Sequence, residues 1–196
     1  MDKQAERRIY LDLDGVIFPY WRDTGDVNPQ PELTSEWVSR EEMYYPTIVE
    51  RLGSIAARNT TILLSSSRSM DALVYQEYTP IIEAIGGANQ WLEVAGLRGI
   101  TEKAEAIHYN WNGIIDLSNA KRGWERQRSL AAQFPTGKAP GSRAVWIDDW
   151  IRAEELQSET SRRVLSDPTL LAVRPLGSVG LTMAQLDTVE QFLFEE

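Results

Sequence analysis

The chain of 196 residues carries 20 basic and 29 acidic side chains, for a net charge of −9. With 42% apolar and 25% charged residues, it has a globular composition that excludes fibrous and disordered classes. It has no cysteine and a single histidine, His108, which removes disulfide frameworks, thiolate nucleophiles, Cys-ligated zinc and multi-imidazole zinc sites, and leaves oxygen ligands for any metal. A lone histidine also weakens a Ser-His-Asp reading, and His108 reads as a surface or helix residue. The length fits one domain over residues 1–196. Met1-Asp2-Lys3-Gln4 opens no apolar leader, and no run approaches the ~20 apolar residues of a membrane span. The expectation is a soluble cytoplasmic protein with no membrane contact and no evident obligate protein partner.

Ile9 to Leu11 is a short apolar run that reads as a buried strand. From Phe18 to Tyr45 the chain is rich in Pro, acidic and aromatic residues without clear period, which predicts a small lid-like insertion at about 18–45. Pro46 opens a helix whose Ile48, Val49, Leu52, Ile55 and Ala56 share one face, and Thr61 to Leu64 follows as a second strand. Helical patterns run from Met70 to Tyr78, from Pro80 to Ile85 and from Arg122 to Phe134, the last leading into a strand from Ala144 to Ile147. Gly86 to Ala120 is the least legible stretch, with Trp91 to Val94 and Ile114 to Leu117 as candidate strands. Leu170 to Val173 reads as the last buried strand, and Thr182 with Gln185 forms a capping box ahead of a helix through Leu186, Val189 and Leu193. Alternating strands and helices predict an α/β fold with a mainly parallel sheet covered on both faces, whose ligands bind beyond the carboxyl ends of the strands.

Polar residues immediately after those strands carry the chemistry. Asp12-Leu13-Asp14-Gly15-Val16 follows the first strand: two carboxylates two residues apart, then a glycine that permits a sharp turn. They suit a nucleophile and an acid/base partner beside a hard divalent cation. A calcium loop is disfavoured, since Val16, Ile17 and Phe18 occupy ligand positions and the twelfth position is Asp23 rather than Glu. Ser65-Ser66-Ser67-Arg68-Ser69 follows the second strand; taken alone such a run is more often a capped helix start, and a phosphate site is its functional reading. Asp148-Asp149 follows the third, where adjacent acids repel unless a cation joins them to Asp12. Lys121, ahead of the helix into that strand, can reach an aspartate and a phosphate. It opens a segment to Arg143 with six basic residues against Glu125, a local charge of +5 that also reads as a solvated helix face.

In order and spacing, these four signals resemble the motifs of the haloacid dehalogenase (HAD) superfamily: Asp12-Leu13-Asp14-Gly15-Val16, the Ser66 region, Lys121 and Asp148-Asp149. Trp146-Ile147-Asp148-Asp149, Pro168-Thr169-Leu170-Leu171 and Gly180-Leu181-Thr182 are similar to the HAD-type domain of "Swiss army knife" RNA repair proteins. The resemblance implies a three-layer Rossmann-like HAD fold with a small or minimal cap. It also implies a phosphomonoester hydrolase working through an aspartyl-phosphate, with Asp12 as nucleophile and Asp14 as acid and base. Ser66 and Lys121 would bind the phosphate, with Ser65 and Ser67 as alternatives to Ser66. Mg²⁺ would be held by Asp12, the Asp14 backbone carbonyl, Asp148 and Asp149. The implied substrate is a nucleotide or nucleic-acid terminal phosphate, with Trp21 or Trp37 as base-stacking candidates. A generic small-metabolite phosphatase is the alternative, and a non-catalytic phosphate-binding module of the same fold is a third reading. The Asp14 carboxylate speaks against the module, which needs no acid/base.

Overall fold

The computed structural model describes residues 4–20, 28–39, 42–65, 78–86, 100–112, 138–152, 156 and 158–195. Four strands, β1 (Arg7–Leu11), β4 (Thr60–Leu64), β5 (Arg143–Ile147) and β6 (Leu170–Val173), form one sheet in the order β4-β1-β5-β6 with every pairing parallel. The four apolar runs picked out by the sequence are thus the sheet, extended backwards by one residue at Thr60 and Arg143 and by two at Arg7. A short antiparallel pair, β2 (Glu36–Trp37) and β3 (Met43–Tyr44), lies inside the expected insertion. The insertion is tied to the rest of the molecule by the Gln30 side-chain amide, which donates to the carbonyls of Val179 and Leu181 at 3.0 and 3.1 Å, and is closed on itself by the Tyr45 hydroxyl, which donates to Asn28 at 2.7 Å.

The described helices are α1 (Pro46–Ala56), α2 (Thr79–Ala84), α3 (Ile100–Asn112), α4 (Glu159–Ser166) and α5 (Met183–Phe194). Pro46 stands in the first turn of α1, and Thr182 and Gln185 form the reciprocal cap of α5, both as the sequence predicts. Period-two alternation in the strands sends apolar side chains to both faces. Ile9, Leu11, Ile62, Leu64, Val145 and Ile147 pack with α1, α2 and α5 on one side. Tyr10, Leu63, Ala144, Trp146 and Leu170 pack with Ile107 and Trp111 of α3 and Val164 of α4 on the other. The molecule is therefore α/β, with a central parallel sheet between helices.

Two of these helices were not expected. The stretch from Gly86 to Ala120 contains α3, whose Ile100, Ala104, Ile107 and Trp111 are buried at helical spacing. In α4 the Ser158 cap is closed by Ser161 instead of Glu or Gln, so it lacks the usual sequence signature. The predicted helices Met70 to Tyr78 (apart from Tyr78) and Arg122 to Phe134, and the candidate strands Trp91 to Val94 and Ile114 to Leu117, lie outside the described residues. Among the described residues, no helix is long and apolar enough to cross a membrane.

Strand order decides where a site can form. From β1 the chain moves to β4 on one side, then crosses to β5 on the other, so the winding reverses between β1 and β5. At such a switch point the connections diverge and leave a crevice at the carboxyl ends of the strands.

Candidate functional site

The ladder continues one residue past each strand end and lines up three polar residues. The Asp12 amide donates to the Ile147 carbonyl at 2.9 Å, the Ser65 amide to Leu11 at 2.8 Å, and the Asp148 amide to Val173 at 3.2 Å. Ser65, Asp12 and Asp148 thus stand side by side on three neighbouring strands, at positions that alternate with the α1 face. They share the parity of Leu63, Tyr10 and Trp146, the residues facing α3.

From α3, Lys103 reaches this row. Its ammonium lies 2.6 Å from an oxygen of Asp12 and 2.7 Å from an oxygen of Asp148, and all three side chains are buried. The second Asp12 oxygen accepts the Leu13 amide at 2.8 Å, and the second Asp148 oxygen accepts the Trp150 amide at 2.9 Å. Burial works against the Lys103 charge, but Asp12 and Asp148 outweigh it and hold its pKa above the usual lysine range. Burial and then Asp148 push Asp12 above the usual carboxylate range, with Lys103 opposing them.

Asp149 completes the cluster. Carboxylate oxygens of Asp12, Asp148 and Asp149 all lie within 4.8 Å of one another. Asp149 Oδ1 is buried with no hydrogen-bond partner, and burial followed by repulsion from Asp148 and Asp12 raises this carboxyl to about 7. Two glycines make room for it. Gly15 has φ +69°, and a Cβ there would stand 2.4 Å from Asp149 Oδ2. At Gly177 a Cβ would stand 2.6 Å from the same oxygen and 2.9 Å from the Tyr20 ring.

The Gly15 turn is tight because the Leu13 carbonyl accepts from Val16, Ile17 and Phe18 at 3.3, 2.9 and 2.9 Å. This turn returns the chain to Tyr20, whose amide donates to the Gly177 carbonyl at 2.9 Å. The Tyr20 hydroxyl is raised well above the ordinary tyrosine range by burial and then by Asp149, Asp14, Asp12 and Asp148. Its field partners put Asp14 beside the cluster, although the carboxylates that converge on one point are those of Asp12, Asp148 and Asp149 without Asp14.

Of the residues singled out by the sequence, Asp12, Asp148 and Asp149 are brought together, and Asp14 stands at their edge. Ser66, Lys121 and Trp21 lie outside the described residues. The lysine found on the carboxylates is Lys103, and the serine found in the row is Ser65, fully buried with an unpartnered hydroxyl. Trp37 is on β2 in the insertion and half-exposed. His108 lies on α3, partly buried and bonded to Asn112 of the same helix.

The cluster fits a hard divalent cation. Three carboxylates against one ammonium leave two negative charges in a buried site, and the donors are all oxygens. The bare Asp149 Oδ1 is an acceptor without a donor. No protein-family model matches the chain, and no curated protein sequence does.

Proposed function

We propose that the protein is a Mg²⁺-dependent phosphomonoester hydrolase that works through an aspartyl-phosphate on a HAD-type version of its α/β fold. The observation that carries the reading is the buried Lys103–Asp12–Asp148 bridge at the switch point, with the unpartnered Asp149 beside it. A bound Mg²⁺ would be held by Asp12, Asp148 and Asp149, with the Asp14 carbonyl, and would polarise the phosphoryl group and offset its charge.

The chain's own residues do the rest. Asp12 attacks phosphorus and displaces the leaving alkoxide, forming a mixed anhydride on its side chain. Asp14 gives its proton to that alkoxide, then takes one from the water that hydrolyses the anhydride and regenerates Asp12. Lys103 spends two of its three N–H groups on Asp12 and Asp148, which leaves the third for a non-transferring phosphoryl oxygen. The Ser65 hydroxyl, buried without a partner next to Asp12 in the ladder, is the natural second donor to that phosphate. In this reading Lys103 and Ser65 take the roles that the family resemblance gives to Lys121 and Ser66.

The test is hydrolysis of a panel of phosphate monoesters with Mg²⁺ and with excess EDTA, on the wild type and Asp12→Asn. Turnover should require Mg²⁺ and vanish in the variant. Full activity in EDTA, or near-normal turnover by Asp12→Asn, would overturn the mechanism.

A further inference from the structure

Among the described residues, the exposed large apolar side chains are Tyr20 at 38%, Trp37 at 53%, Trp150 at 56% and Leu176 at 66%. All but Trp37 sit on the loops that end at the acid cluster. Tyr20 follows the turn after β1, and its ring and the Asp149 carboxylate both border Gly177, at 2.9 and 2.6 Å from where a Cβ there would stand. Trp150 is the residue after Asp149, and its own amide is fastened to Asp148 at 2.9 Å, so its exposed indole is carried by a backbone anchored to the site. Leu176 precedes Gly177 in the turn after β6, which is closed by bonds from Val179 and Gly180 to the Leu176 carbonyl at 2.7 and 2.8 Å. Three neighbouring strands thus each carry one exposed large apolar side chain on the loop at their carboxyl end, the end where the acid cluster lies.

Large exposed apolar side chains on adjoining loops beside a polar crevice suit a contact with the apolar part of a ligand. The crevice accepts a phosphoryl group, so what lies against Tyr20, Trp150 and Leu176 is the part of the substrate attached to it. Two of the three offer flat aromatic faces, and a base attached to the sugar adds a π-face for them to stack on that the bare sugar phosphate lacks. Resting on the phosphatase reading above, we infer that Tyr20, Trp150 and Leu176 form a collar that selects phosphate monoesters whose leaving group carries a planar aromatic ring, as in a nucleoside monophosphate.

Adenosine 5′-monophosphate and ribose 5-phosphate test this, because both release phosphate from the same kind of sugar hydroxyl and differ by the base. Hydrolysis of both is measured with Mg²⁺ for the wild type, Trp150→Ala and Leu176→Ser. The wild type should prefer the nucleotide in kcat/KM by tenfold or more, and Trp150→Ala should remove about tenfold from the nucleotide while changing ribose 5-phosphate less than twofold. Leu176→Ser should act in the same direction more weakly. Equal turnover of the two esters by the wild type, or equal losses for both in Trp150→Ala, would overturn the collar and leave the phosphatase reading intact. If neither ester is hydrolysed, the phosphatase reading fails, and calorimetric binding of the same two compounds decides the collar. Adenosine monophosphate binding about tenfold tighter, with the advantage lost in Trp150→Ala, would support the collar, and equal affinities would overturn it.

Discussion

Lys103 is buried between two carboxylates that need it. Removing one partner from a buried charged group leaves uncompensated charge and costs ~3–5 kcal/mol. Lys103→Met should therefore lower the melting temperature in EDTA markedly, abolish turnover, and recover part of its stability when Mg²⁺ is added. An unchanged melting temperature in EDTA would mean that the ammonium does not hold the cluster together. The sequence contained a signal for this lysine. Ile100, Ala104, Ile107 and Trp111 repeat at helical spacing, and Lys103 falls on the same stripe, one turn from Ile100 and from Ile107. A lysine on an apolar stripe needs a buried anion as partner, yet the stripe is diluted by Thr101, Glu105 and His108, and the charged run at Lys121 is the stronger local signal. The carboxylates were legible because each follows a short apolar run, Ile9 to Leu11 or Ala144 to Ile147, a pattern that survives without tertiary information.

At the scale of elements, the turn from Leu13 to Phe18 decides whether Asp149 has room. Gly15 and Gly141 both adopt positive φ, +69° and +79°, so alanine at either incurs a similar backbone cost of roughly 1–2 kcal/mol. Their surroundings differ: a Cβ at Gly15 would lie 2.4 Å from Asp149, whereas at Gly141 the nearest atom is the Ala5 Cβ at 3.7 Å. Gly15→Ala should thus lose more stability than Gly141→Ala, and Gly15→Ala alone should lose Mg²⁺ affinity, by tenfold or more. A Mg²⁺ titration followed by thermal shift separates the two, and equal Mg²⁺ responses would deny the turn its role in shaping the site. The parallel sheet and the capped last helix were readable in the sequence because short apolar runs and a Thr-x-x-Gln cap are local features. The pairing of β2 with β3 was not, since two-residue strands have no period to detect.

For the molecule as a whole, the acid cluster couples folding to pH and metal. Asp149 titrates near 7 when folded and near ~3.9 when unfolded, so between those values the folded state binds more protons. Stability of the metal-free protein therefore falls as pH rises through about 7, and lowering the pH from 8 to 6 should raise the melting temperature in EDTA. Asp149→Asn should flatten that slope. Mg²⁺ competes with those protons, so the thermal stabilisation it gives should be largest at pH 8 and shrink at pH 6. Melting curves at the two pH values with and without Mg²⁺ check both signs, and a metal-free protein that melts lower at pH 6 than at pH 8 would contradict the first.

The row of Ser65, Asp12 and Asp148 has a further consequence. Its spacing is set by main-chain hydrogen bonds from residues far apart in the sequence, and a peptide ladder is indifferent to the side chains it carries. The reagents of the site are in that sense exchangeable cargo on a fixed rack. The intervening segments can lengthen or shorten, and any one of the three side chains can be swapped, without moving the positions of the other two. The chemistry of such a scaffold can be rewritten one side chain at a time, while its geometry stays with the sheet.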